Sequence, residues 1–94
     1  PQSGGGRLIY CALRNGIYQL FDRDRQLTFS AADCLEPSLS EDGQCLAYTE
    51  GSEIKLVRSG RVWTMGPGHN PCLSGNGRWL AYADGQRIVW KKIR

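Results

Sequence analysis

Apolar residues fall in short runs from Arg7 onward: Leu8–Leu13, Ile17–Phe21, Gln26–Phe29, Cys45–Thr49, Ile54–Val57, Arg61–Thr64, Trp79–Ala83 and Ile88–Trp90. Each run is rich in β-branched or aromatic residues and is bounded by Gly, Asn, Asp or Ser, which is the pattern of β-strands. No window holds the i, i+3, i+4, i+7 spacing for three turns, so no full helix is predicted. Ser30–Glu36 is the one candidate helical turn, and Pro37 ends it. Asn15-Gly16, Asp42-Gly43, Asn76-Gly77 and Asp84-Gly85 lie between runs. Such dipeptides predict two-residue hairpins with positive φ at both central positions. Glu50-Gly51 and Ser59-Gly60 are weaker versions. Residues 1–6, Pro-Gln-Ser-Gly-Gly-Gly, are expected to be a flexible lead. The chain reads as all-β and antiparallel.

The pattern repeats. Pro37–Ile54 aligns with Pro71–Ile88 at a constant offset of 34, with nine identities in 18 positions. These are Pro37/Pro71, Leu39/Leu73, Ser40/Ser74, Gly43/Gly77, Leu46/Leu80, Ala47/Ala81, Tyr48/Tyr82, Gly51/Gly85 and Ile54/Ile88. A partial copy upstream aligns Gly6–Ala12 with Gly43 onward, and Ile17 with Ile54, at an offset of 37. One unit is then four short strands: Pro-x-Leu-Ser, x-Leu-Ala-Tyr, an Ile-led strand and an Arg-led strand. Four antiparallel strands per ~40 residues is the blade of a β-propeller. The copies span about 7–30, 31–66 and 67–94 within a repeat segment of 7–94, which makes about two and a half blades.

Pro-x-Leu-Ser-x-Asp/Asn-Gly-x-x-Leu-Ala-Tyr resembles the TolB-type, WD-like β-propeller repeat over roughly residues 7–92. Gly75 departs from that pattern, and the first copy lacks the Pro-x-Leu-Ser strand. A blade cannot bury both faces alone, and propellers close with four to eight blades. The ring is therefore expected to be completed by oligomerisation, with a homodimer favoured. The resemblance implies six blades in that ring and a periplasmic or envelope-associated location; a secreted chain is the alternative.

Composition narrows the function. The chain has 94 residues, 40% hydrophobic and 22% charged, with a net charge of +3. That excludes a disordered chain, and no apolar stretch reaches the ~18 residues of a membrane helix. The basic residues are scattered, so no nucleic-acid face is expected. One histidine, no nucleophile elbow and no phosphate loop argue against an enzyme. No cofactor is expected. A metal is not expected either: His69 and Cys72 form one short spacing, with Cys34 in a related loop, and there is no second close pair. A two-residue turn at Asp42-Gly43 places Cys34 and Cys45 on one face of their blade. Cys11, Cys34, Cys45 and Cys72 are then expected to be free, mostly buried and apolar in role.

The expected function is a non-catalytic binding or scaffold module that makes protein–protein contacts. Trp63, on an outermost strand, with His69, Asn70, Arg23 and Arg25 in loops, are the candidate contact residues. Tyr48 and Tyr82 are expected to be core or inter-blade packing, and Trp79 and Trp90 to lie in strands. The alternatives are a small carbohydrate-binding lectin assembled from several chains, with Trp63 against the sugar, and an excised or engineered fragment with a structural role only.

Overall fold

The computed structural model describes residues 2–94. Three antiparallel sheets follow one another along the chain, and no helix occurs among the described residues. The first sheet holds β1 (Gln2–Gly4), β2 (Arg7–Arg14), β3 (Ile17–Asp22) and β4 (Arg25–Gln26), in that order. The second holds β5 (Cys34–Leu39), β6 (Cys45–Glu50), β7 (Glu53–Arg58) and β8 (Arg61–Pro67), again in order. The third holds β9 (His69–Leu73), β10 (Trp79–Asp84) and β11 (Arg87–Lys92).

The second sheet is packed on both faces. Cys45, Ala47, Ile54 and Leu56 turn toward the third sheet and cluster with its Leu73, Leu80 and Tyr82. Leu46 and Tyr48 turn the other way and cluster with Ile9 and Leu20 of the first sheet. Alternation along a strand sends successive side chains to opposite faces, so one six-residue strand serves two cores. Tyr48 and Tyr82 are only 5% and 4% exposed, packed between sheets as the repeat predicts.

The repeated Ser-x-Asp/Asn-Gly segment is a hydrogen-bonded corner. Ser40 Oγ donates to Asp42 Oδ1 (2.8 Å) and accepts from Cys45 N (3.0 Å). Asp42 Oδ1 also accepts from Gln44 N (2.9 Å). Ser74 Oγ and Asn76 Oδ1 repeat this bond for bond at 2.7 Å, with Trp79 N and Arg78 N as donors. These are four-residue loops, so the expectation of two-residue turns at Asp42-Gly43 and Asn76-Gly77 is corrected. Only Gly43 and Gly77 have positive φ there, because the Ser and Asp/Asn side chains do the bonding of a tighter turn. At Asp84-Gly85 the ladder runs on to Asp84↔Arg87, and the turn is Gly85-Gln86. Asn15-Gly16 has positive φ at both positions (55° and 83°), and Ser59-Gly60 does too (52° and 75°).

Other expectations are corrected. Gln2–Gly4 pair with Arg7–Ile9 as the first strand of the first sheet, so the lead is not free chain. Its glycines are needed: a Cβ on Gly5 would lie 2.0 Å from Asp42 O, and one on Gly43 would lie 2.6 Å from Gly4 O. Ser30–Glu36 forms no helical turn, because side chains hold it open. Gln19 bonds both Ser30 O and Ser30 N, and Asp33 accepts from Tyr18 N. The run Gln26–Phe29 is a strand only at Arg25–Gln26. Beyond it Leu20 N donates to Thr28 Oγ1 instead of to a backbone carbonyl.

A bulge resets the register of the second sheet. Ser38 pairs with Ala47, but Leu35 pairs with Thr49, so Glu36 and Pro37 together oppose Tyr48. Glu36 takes φ 54°. Asn70-Pro71 repeats the feature at the same offset, again with φ 54°. The slip moves Cys34 to the opposite face from Cys45, which corrects the expectation that they share one. Cys34 lies in the core between the first and second sheets, and Cys45 in the core between the second and third. The first hairpin also shifts: Arg14↔Ile17 matches Glu50↔Glu53 at an offset of 36, not 37. Its corner loop is shorter, and β2 is longer.

Ser40→Ala should cost about 1–3 kcal/mol in denaturant unfolding, because it strands the buried Cys45 N–H. Ser74→Ala, at an exposed corner, should cost less, and Asp42→Asn should leave the midpoint unchanged, since Asn76 already fills that role.

Candidate functional site

The two end faces of the stack are unequal. Cys72, Ala81 and Trp90 are cross-strand neighbours on one face of the third sheet, and Trp79, Ala83 and Ile88 share that face. Their repeat equivalents Ser38, Ala47 and the cross-strand Leu56 are covered by the third sheet. No further sheet covers this one. Trp79 and Trp90 lie in strands, as expected, yet Trp79, Ile88 and Trp90 are 43%, 65% and 68% exposed. Cys72 is exposed with them, so the expectation of mostly buried cysteines fails at that position. Large exposed apolar patches of this kind are found at interaction surfaces.

The outer face of the first sheet is better dressed. Phe21 stacks on Tyr10 with ring centroids 5.6 Å apart, and the Arg14 guanidinium lies 5.2 Å from the Phe21 ring centroid. Tyr10, Ala12 and Phe21 are the offset-36 equivalents of Leu46, Tyr48 and Val57, the residues that the second sheet turns toward its predecessor.

A groove of about 280 Å³ opens between the first two sheets. Leu27–Ser30 form one wall, and Tyr48, Glu50, Lys55 and Val62 form the other. Lys55 Nζ lies 3.9 Å from a Glu50 carboxylate oxygen and donates to Thr64 Oγ1 at 2.6 Å. The ring of Phe29 stands 82% exposed at the rim. Burial, with Cys34 and Glu50 nearby, pushes the Tyr48 phenol up to about 12, so it stays protonated at neutral pH. Tyr82, its repeat equivalent, donates its hydroxyl to Met65 O on β8 at 3.2 Å. Tyr48 has no such acceptor among the described residues, because the first sheet ends its fourth strand after Gln26.

The residues singled out from sequence lie apart. Arg23 and Arg25 flank the β3–β4 turn, where Arg23 Nη2 donates to Gly6 O. His69 and Asn70 open β9, and His69 Nδ1 lies 3.8 Å from Glu36 Oε1. Trp63 is on β8, 38% exposed, with the Arg58 guanidinium 5.6 Å from its ring centroid. It lines a smaller cavity of about 190 Å³ with Leu56, Met65 and Lys92. No hydrogen bond or ion pair joins any two of these five among the described residues. Uncovered outer faces follow from the repeat, which cannot bury both faces of a blade alone, whereas the groove has no such forerunner in the sequence. The signal for the groove was the run Gln26–Phe29, too short and too polar to match Arg61–Met65.

Among the described residues no group of three His, Cys, Asp or Glu side chains is placed to hold a metal. No helix is long and apolar enough to cross a membrane. No family model matches the chain, and no curated protein matches it.

Two outcomes test this geometry. Tyr48→Phe should leave stability unchanged, whereas Tyr82→Phe should cost about 1 kcal/mol, the worth of a buried hydrogen bond. Denaturant midpoints of the two variants decide it. Of the four thiols, Cys72 should alkylate first. Cys34 and Cys45 should react only on unfolding, since thiolate formation and access control the rate. Burial pushes the Cys34 thiol up, in the same direction. Timed alkylation with peptide mapping gives the order.

Proposed function

We propose that the chain is a non-catalytic binding and scaffold module whose three sheets are blades of a TolB-like β-propeller, closed by association of chains. The uncovered face of Trp79, Ile88 and Trp90 carries this reading, because the repeat buries the same positions one unit earlier. Sequential sheets of four, four and three strands stacked face to face also support it, as do corner loops that touch through Glu41 N and Gly75 O (3.0 Å). A second copy supplies a fitting cover. The outer face of its first sheet presents Tyr10 and Ala12, with Phe21 beneath Tyr10 and Arg14, counterparts of residues that already seat against a preceding sheet. Two such contacts related by a two-fold axis close a ring of six sheets and leave no bare face. A periplasmic or envelope-associated location rests on the repeat resemblance alone.

Light scattering on the purified chain should return twice the 10.5 kDa chain mass. Trp90→Lys should give the single-chain mass with unchanged strand content. A wild-type chain that stays monodisperse at the single-chain mass would overturn the reading.

A further inference from the structure

The groove between the first and second sheets stands where the repeat has a closing strand one unit later. Between the second and third sheets β8 fills that position, and its Met65 O receives both the Tyr82 hydroxyl (3.2 Å) and Lys91 Nζ (2.9 Å). Between the first and second sheets β4 stops at Gln26, and Thr28 and Asp33 side chains take over the free N–H groups of β3. What is left is a cavity lined by a 95%-buried tyrosine whose hydroxyl has no hydrogen-bond partner among the described residues.

The surrounding chemistry selects an occupant. Glu50 and Lys55 lie side by side and cancel in charge, so a net-charged ligand gains little over a neutral one. Together they offer an acceptor and a donor close enough for two adjacent hydroxyls. Tyr48 adds a donor at the floor, fixed in its protonated state. Leu27 and Val62 give apolar wall, and Phe29 gives an exposed ring at the rim onto which the C–H face of a saturated ring can lie. A volume of about 280 Å³ is at the low end for ligand pockets and suits one small ring. We propose that this groove binds a neutral, polyhydroxylated ring: one monosaccharide unit of a glycan. This differs from a sugar site on Trp63, whose ring already carries the Arg58 guanidinium.

The test is a backbone-amide NMR titration of the full chain with glucose, galactose and mannose, each to about 100 mM, above the millimolar range expected for one small ring. At least one sugar should give saturable shifts centred on residues 27–30, 48–50 and 62. Tyr48→Phe should weaken that binding about tenfold, because the site is built to donate to a hydroxyl. Phe29→Ala, at an exposed ring, should weaken it without touching the fold. Tyr82→Phe should leave it unchanged. Trp90→Lys, which removes the proposed self-association, should also leave it unchanged, so this site and the oligomer fail separately. Absence of saturable shifts for all three sugars would overturn the proposal. So would binding indifferent to Tyr48→Phe, or equal binding of acetate or glycine.

Discussion

Apolar residues stand on both faces of these sheets, and the two hydrophobic cores form where one sheet lies against the next. That constraint organises the rest. The second sheet satisfies it on both sides, and the deepest residues of the molecule line its two faces: Ile9, Leu20 and Cys34 on one, Cys45, Ile54 and Leu80 on the other. The outer sheets satisfy it on one side only. The first sheet covers its own outer aromatic, with Tyr10 and Arg14 over Phe21. The third sheet leaves Trp79, Ile88 and Trp90 in solvent. The same residue pattern is therefore core in one unit and surface in the next. The proposed interaction role rests on this inequality.

Spacing between sheets is set at the corners. Ser40 and Asp42 tie their loop into one shape, and Ser74 and Asn76 tie theirs into the same one. Glycines let the loops touch. Gly4 and Gly5 lie against the Ser40–Gly43 loop at distances no side chain tolerates, and Arg7 Nη1 donates to Gly43 O at 3.0 Å. The Ser40–Gly43 corner thus serves three ends at once: it turns the chain, satisfies the buried Cys45 N–H and offers a bare backbone to its neighbour. Departures between units matter as much as the likeness. The first unit keeps the corner contact but abbreviates its fourth strand, and the groove beside Tyr48 is the consequence.

Much of this was legible. The strand runs, the offset of 34 and the antiparallel order all follow from local residue chemistry, and the paired tyrosines were recognisable as inter-sheet packing. Three features were not. The bulges at Glu36-Pro37 and Asn70-Pro71 place a residue at positive φ before proline, where neither residue announces it, so the face of Cys34 was misjudged. The opening glycines looked like linker, because what makes them necessary is a loop some 40 positions away. Ser30–Glu36 had the composition of a helical turn. Its backbone is instead engaged by Gln19 and Asp33, and such side-chain competition with the helix leaves no periodic trace.

The sequence by itself determined the unit: four short strands, their turns and the alternation that sends apolar residues to both faces. It did so because side-chain alternation and turn chemistry are properties of neighbouring residues. Only the tertiary structure decided which faces are covered, which hydroxyls find acceptors and where a strand is missing. Those outcomes depend on what lies across a sheet interface. Tyr48 and Tyr82 share a motif, yet one donates to Met65 O and the other looks into a groove. The difference is made by the strand beside each, which the motif does not contain.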